Sequence, residues 1–75
     1  MEYVVVSYTA ERNVYIDGQF AGTTGDTLMV EAGNHFFDLD KPRDYLPRTV
    51  GRLVENTTTI SPMIIADFHP KADVI

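Results

Sequence analysis

The sequence contains no cysteine, which excludes a disulfide framework and a thiolate metal site. Basic residues are scarce: 6 Lys and Arg stand against 11 Asp and Glu, a formal net charge of −5. A nucleic-acid backbone is therefore a poor main partner, because phosphate neutralisation needs clustered Lys and Arg. An anionic membrane surface is disfavoured for the same reason. No apolar run approaches the ~20 residues of a membrane span. The opening residues Met1 to Val6 have neither a basic n-region nor a long apolar h-region. If Met1 is the native start, the expected compartment is the cytoplasm. A domain cut from a longer surface protein would instead be extracytoplasmic.

What is present suits one small β domain. The chain has 75 residues and a hydrophobic fraction of 44%, enough for a single core. A core of this size supplies only about 3–5 kcal/mol. Val, Ile, Tyr and Phe dominate the apolar set, Thr is abundant beside them, and all favour strands. Residues 3–8 (YVVVSY) form a run of strand length. Val14 and Ile16 share one face by the period of two. Asp17-Gly18 then predicts a tight hairpin, returning through Gln19 to Ala21 and ending at Gly22. Leu28 and Val30 point inward from the next short strand. Glu31 to Asn34 reads as a turn, with Gly33 freeing the reversal. His35, Phe37 and Leu39 then face the core while Phe36, Asp38 and Asp40 face away.

Arg48 to Val54 predicts a strand, with Gly51 marking a bulge. Thr57 to Phe68 predicts a long strand region that Pro62 confines to an edge or divides. The only helix-like segment, Tyr8 to Arg12, is too short to stand alone. The expectation is an all-β fold, a small antiparallel β-sandwich of about seven strands. Its domain spans residues 1–69, with 70–75 as a C-terminal tail and His69 where fraying begins.

The stretch from Val14 to Phe68 resembles the PEGA domain family. The pattern is Val14-Tyr15-Ile16-Asp17-Gly18, then Gly22-Thr23, then Gly33-Asn34-His35, then Asp44-Tyr45-Leu46-Pro47 and a final alternating strand. The chain departs from that family where Ala10-Glu11-Arg12-Asn13 keeps only Glu11 of the naming motif. It departs again where Gly25 replaces the Pro of a Gly-x-Thr-Pro motif, and where Asp44 replaces a Gly. The resemblance implies a small β-sandwich used as an accessory module in bacterial or archaeal surface proteins or beside signalling kinases. It implies a binding or structural role and carries over no catalytic residue. The structural turn positions are Asp17, Gly18, Gly22, Gly33 and Tyr45, the last with its ring over the sheet end and its hydroxyl on backbone.

Chemistry is sparse. Ser7 and Ser61 lack a nucleophile-elbow context, and no enzyme activity is expected. His35 and His69 lack metal-ligand spacing; His35 reads as a half-buried structural histidine. Asp38, Asp40 and Asp44 lie close in sequence, but Lys41 and Arg43 between them predict local neutralisation rather than a Ca²⁺ site. The glycines form no phosphate cradle, so no cofactor is expected. Asn56-Thr57-Thr58 has the form of a glycosylation acceptor but reads as a turn.

The first functional expectation is a non-enzymatic protein-interaction or structural accessory module. Protein is the expected partner, including a second copy added along an edge strand. Met63 and Ile65 are its expected outward contacts. The alternative is a carbohydrate-binding module using Tyr15 and Phe36 as exposed aromatics.

Overall fold

The computed structural model describes residues 1–71, and these contain strands and no helix. The strands are β1 (Glu2–Val6), β2 (Asn13–Ile16), β3 (Gln19–Thr23), β4 (Thr27–Val30), β5 (Gly33–Leu39), β6 (Tyr45–Leu46), β7 (Val50–Val54), β8 (Met63–Ile65) and β9 (His69–Pro70). They form a three-stranded sheet β4-β1-β8, a four-stranded sheet β3-β2-β5-β7 and a small ribbon β6-β9. The fold is all-β, with nine strands where about seven were predicted. Only β1 and β8 pair in parallel.

Alternation explains the core. Val4, Val6, Leu28, Val30 and Ile65 face inward from the three-stranded sheet. Val14, Ile16, Phe37, Leu39, Val50 and Val54 meet them from the four-stranded sheet. Tyr45 and Phe68 complete the same cluster, with their rings edge-to-face at 5.5 Å. Among the described residues no charged side chain is buried, and no buried side-chain polar atom lacks a partner.

The β2–β3 hairpin turns through Asp17 (φ 53°) and Gly18 (φ 82°). Two positive φ angles in succession match the twist of the flanking strands. The pairing then shifts, so that Val14 faces Gly22 while Tyr15 faces Phe20. Ala21 is the extra residue of this bulge. Gly22 is required by space as well as by its φ of 151°, since a Cβ there would lie 2.5 Å from Leu28 Cδ2.

Four sequence expectations are corrected. Gly51 marks no bulge, because β5 and β7 stay in register through Phe36 and Gly51. Its missing side chain makes room for the Phe36 ring, whose Cε1 would lie 3.1 Å from an added Cβ. The long strand predicted over Thr57–Phe68 is only three residues, Met63–Ile65. Asn56 (φ 60°) breaks the chain direction, and a turn joins Thr58 and Ser61.

That irregular segment also resets the alternation. Ile65 is fully buried, Met63 packs against the core and Ile64 is exposed. The predicted outward pair Met63 and Ile65 therefore points the other way. Finally, His69 and Pro70, predicted to fray and to open the tail, form strand β9. Leu46 pairs with His69, Tyr45 pairs with Pro70, and Lys71 N–H donates to Asp44 O at 2.9 Å. Residues 72–75 of that predicted tail lie outside the described residues.

Candidate functional site

The outward face of the four-stranded sheet carries several large apolar side chains, with Asp38 among them. Tyr15 on β2 lies opposite Phe20 on β3 and Asp38 on β5. Phe36 is two residues from Asp38 on the same face of β5, and it lies opposite Gly51. Leu53 is on that same face of β7. Phe20, Phe36 and Leu53 are 62%, 60% and 50% exposed, whereas Tyr15 is half-buried between its neighbours. The rings of Tyr15 and Phe20 meet edge-to-face at 6.1 Å. Three large apolar side chains held at least half exposed on one rigid sheet form a contact surface that costs solvation until covered.

Tyr15 also lines an open groove of ≈ 420 Å³ with Asp38, Asp40, Lys41 and Arg43. The structure thus brings Tyr15 and Phe36 onto one face. It adds Phe20 and Leu53, which the strand assignments alone did not select. Phe20 was legible as the cross-strand neighbour of Tyr15 once the hairpin was placed.

The acidic group beside this groove is neutralised differently from expectation. Arg12, from the loop between β1 and β2, donates from Nε to Asp40 at 2.8 Å and from Nη1 to Asp44 at 3.0 Å. Its Nη2 donates to the carbonyls of Asp40 and Pro42 at 2.7 and 2.6 Å. The guanidinium carbon lies 5.8 Å from the Tyr8 ring centre and 5.5 Å from that of Tyr45. Its hydrogen bond to Asp40 raises the Arg12 pKa above the usual arginine value. Its bond to Asp44 lowers the Asp44 pKa. Lys41 and Arg43, the expected neutralisers, form no ion pair among the described residues. No three metal-ligating side chains converge there or elsewhere among the described residues.

Two further placements shape the site. The Tyr45 hydroxyl donates to Leu39 O at 2.6 Å and accepts from Leu39 N–H at 3.2 Å. The hydroxyl is on backbone as expected, and the ring is buried in the core, so Tyr45 pins the end of β5. His35 is held by both ring nitrogens: Nδ1 lies 2.6 Å from Asp17 Oδ2, and Nε2 lies 2.7 Å from Glu31 O. Asp17 Oδ1 accepts from Phe36 N–H at 2.9 Å. The Asp17 bond, and then the Glu31 carbonyl, raise the His35 pKa. The Phe36 N–H, and then His35, lower the Asp17 pKa. This clip anchors the hairpin turn beside Phe36.

Thr24 of the Gly22-Thr23-Thr24-Gly25 loop also has a structural task. Its hydroxyl accepts from Arg12 N–H at 3.0 Å and donates to Ala10 O at 3.0 Å. It thus shapes the loop that launches Arg12.

The model of one protein family, described as the PEGA domain, matches residues 1–50. That match includes the motif pattern from Val14 through Pro47 and adds β1. It ends at the first residue of β7, short of the Phe68 to which the motif resemblance extended. No curated protein matches the chain. No solved structure matches it.

Proposed function

The chain belongs to the PEGA domain family, a small module of the binding type, and we propose that it is a non-enzymatic interaction module that contacts protein through the outer face of its four-stranded sheet. The observation that carries this reading is the exposure of Phe20 and Phe36, at 62% and 60%, on one face of the sheet. Gly51 keeps that face open beside Phe36.

The occupant we assign is a second copy of the chain. Two such faces stacked about a two-fold axis bury the same apolar residues from both sides, as paired sheets do. The charges around the Tyr15 groove support self-complementarity, because Asp38 and Lys41 both line it. A two-fold axis can set each against its opposite on the partner. Edge contact through Met63 and Ile65 is not part of this reading, since Ile65 lies in the core.

Sedimentation at several concentrations tests it. A dimer that forms with concentration, and is lost in Phe20→Ser/Phe36→Ser, is the expected outcome. A monomer throughout removes the self-association reading.

A second reading has its own support. The groove of ≈ 420 Å³ places hydrogen-bonding side chains, Asp38, Lys41 and Arg43, beside the Tyr15 ring. An aromatic wall with polar groups around it is suited to a sugar ring. Titration against a glycan panel separates the two readings. Glycan binding by a monomer, lost in Tyr15→Ala, favours the carbohydrate reading. Binding that survives both Tyr15→Ala and Phe36→Ala removes it.

A further inference from the structure

The protein is acidic overall, yet four of its cations have no ion-pair partner among the described residues, and three of these line one pocket. Of the 6 basic residues, Arg12 is held by Asp40 and Asp44, and Arg52 is held by Asp67. The other four, Lys41, Arg43, Arg48 and Lys71, form no ion pair among the described residues. Arg43, Arg48 and Lys71 line a single small pocket of ≈ 170 Å³ together with Tyr45 and Leu46.

Tertiary structure makes this group. The β6–β9 ribbon pairs Tyr45 with Pro70, and the Lys71 N–H donates to Asp44 O at 2.9 Å. These bonds bring Lys71 to a pocket otherwise made by residues 43–48. No carboxylate among the described residues lines it. The adjacent Asp44 carboxylate is hydrogen-bonded to the Arg12 guanidinium and also feels the Lys71 charge, but it does not line the pocket.

Three like charges around one space repel each other unless an anion joins them. Screening over about 8 Å at physiological ionic strength keeps distant acidic residues from cancelling that local field. Two guanidinium groups and an ammonium also supply the donors that a tetrahedral oxyanion accepts. The net charge of −5 opposes a long polyanion, whose charges would extend over the acidic remainder of the surface. A compact dianion meets only the local cations.

We infer that the pocket lined by Arg43, Arg48 and Lys71 binds a small phosphate-type oxyanion, with Tyr45 and Leu46 as its apolar wall. The ligand is either the free ion or a small phosphomonoester, and the apolar wall favours an ester carrying an organic group. This site shares Arg43 with the Tyr15 groove but uses no other residue of it, and Arg48 and Lys71 test it independently of the aromatic sheet face.

The test is a titration of backbone amide signals of the full chain at constant ionic strength, in an amine buffer. One arm uses inorganic phosphate, a second phenyl phosphate, and a third sodium chloride alone. Saturable shifts centred on residues 43–48 and 69–71 are expected with phosphate and absent with chloride. Tighter binding of phenyl phosphate assigns the site to phosphomonoesters, and equal binding assigns it to the free ion. Arg48→Gln/Lys71→Gln should weaken binding by at least about tenfold, the loss of one or two charge-assisted contacts. Signals remote from the pocket in that variant report whether it stays folded, and Lys41→Gln should leave the affinity intact. The inference is overturned if neither phosphate saturates, if chloride gives the same shifts, or if the folded double variant binds as well as the parent.

Discussion

The Arg12 guanidinium sits on the Asp40 carboxylate, 2.8 Å from Nε to Oδ1, across 28 residues of sequence. Its side chain is only 13% exposed. The same group satisfies the carbonyls of Asp40 and Pro42, so one residue holds the whole loop after β5. Arg12→Ala should destabilise the fold by about 2–3 kcal/mol, as expected for losing charge-assisted bonds at a partly buried site. Arg12→Lys should recover only part of this, since an ammonium cannot reproduce the planar fork. Lys41→Ala should change stability by no more than about 0.5 kcal/mol. Urea denaturation of the three variants checks the order.

Tyr45→Phe removes one hydroxyl from a buried site. The Leu39 N–H and C=O then lose the partner that the hydroxyl supplies. We expect a loss of about 1–3 kcal/mol, with an unchanged far-ultraviolet spectrum at low temperature. In a domain whose core supplies only about 3–5 kcal/mol, thermal melting should show it clearly.

His35 and Asp17 give the fold a pH optimum. The His35 pKa is raised from 6.5, chiefly by Asp17. Its contribution is full below pH 6.5 and is lost as pH rises through the raised value. The Asp17 pKa is lowered from 3.8, chiefly by the Phe36 N–H. Its contribution is full above pH 3.8 and is lost as pH falls through the lowered value. The clip is therefore strongest between these two ordinary values. Asp17→Asn should remove most of the alkaline dependence and return the His35 titration toward 6.5. A histidine-resolved NMR titration reads this directly, and an unmoved His35 midpoint would contradict it.

Isoleucines 64 and 65 separate the observed strand from the predicted one. Ile65→Ala should cost about 2–5 kcal/mol, the range for opening a core cavity. Ile64→Ala should cost less than about 1 kcal/mol, because Ile64 is 57% exposed. The reverse order in chemical denaturation would restore the predicted alternation.

Two glycines should respond differently to alanine. Gly22→Ala drives a methyl to 2.5 Å from Leu28, a buried side chain, at a backbone φ of 151°. Strain and core displacement together should cost about 2–4 kcal/mol. At Gly51 the obstacle is the exposed Phe36 ring, at 3.1 Å, which can swing into solvent. The cost should stay below about 1 kcal/mol. Paired thermal melts compare the two.

Local chemistry alone carried much of the fold into view. The alternation Val14, Ile16, Phe37, Leu39 names a buried face because strand side chains reverse sides at every residue. Asp17-Gly18 names its turn because positive φ is cheap there. Alternation fails where it must be carried through an irregular segment, since a single residue of slip inverts every later side chain. That is what Asn56 and the Thr58–Ser61 turn did to Ile64 and Ile65. Gly51 misled for a related reason: a missing side chain looks the same whether it permits a bulge or seats a neighbour's ring.

The residues that shape the surface depend on contacts that no local pattern encodes. Arg12 reaches past Lys41 and Arg43 to neutralise Asp40, because folding brings the two loops together. Lys71 joins Arg43 and Arg48 only through the β6–β9 ribbon. The chain's order of residues settles strand faces and hairpin corners, which are short-range matters of sterics and period. Charge partners and the composition of a pocket are settled by which strands become neighbours, and that is decided when the two sheets close on their shared core.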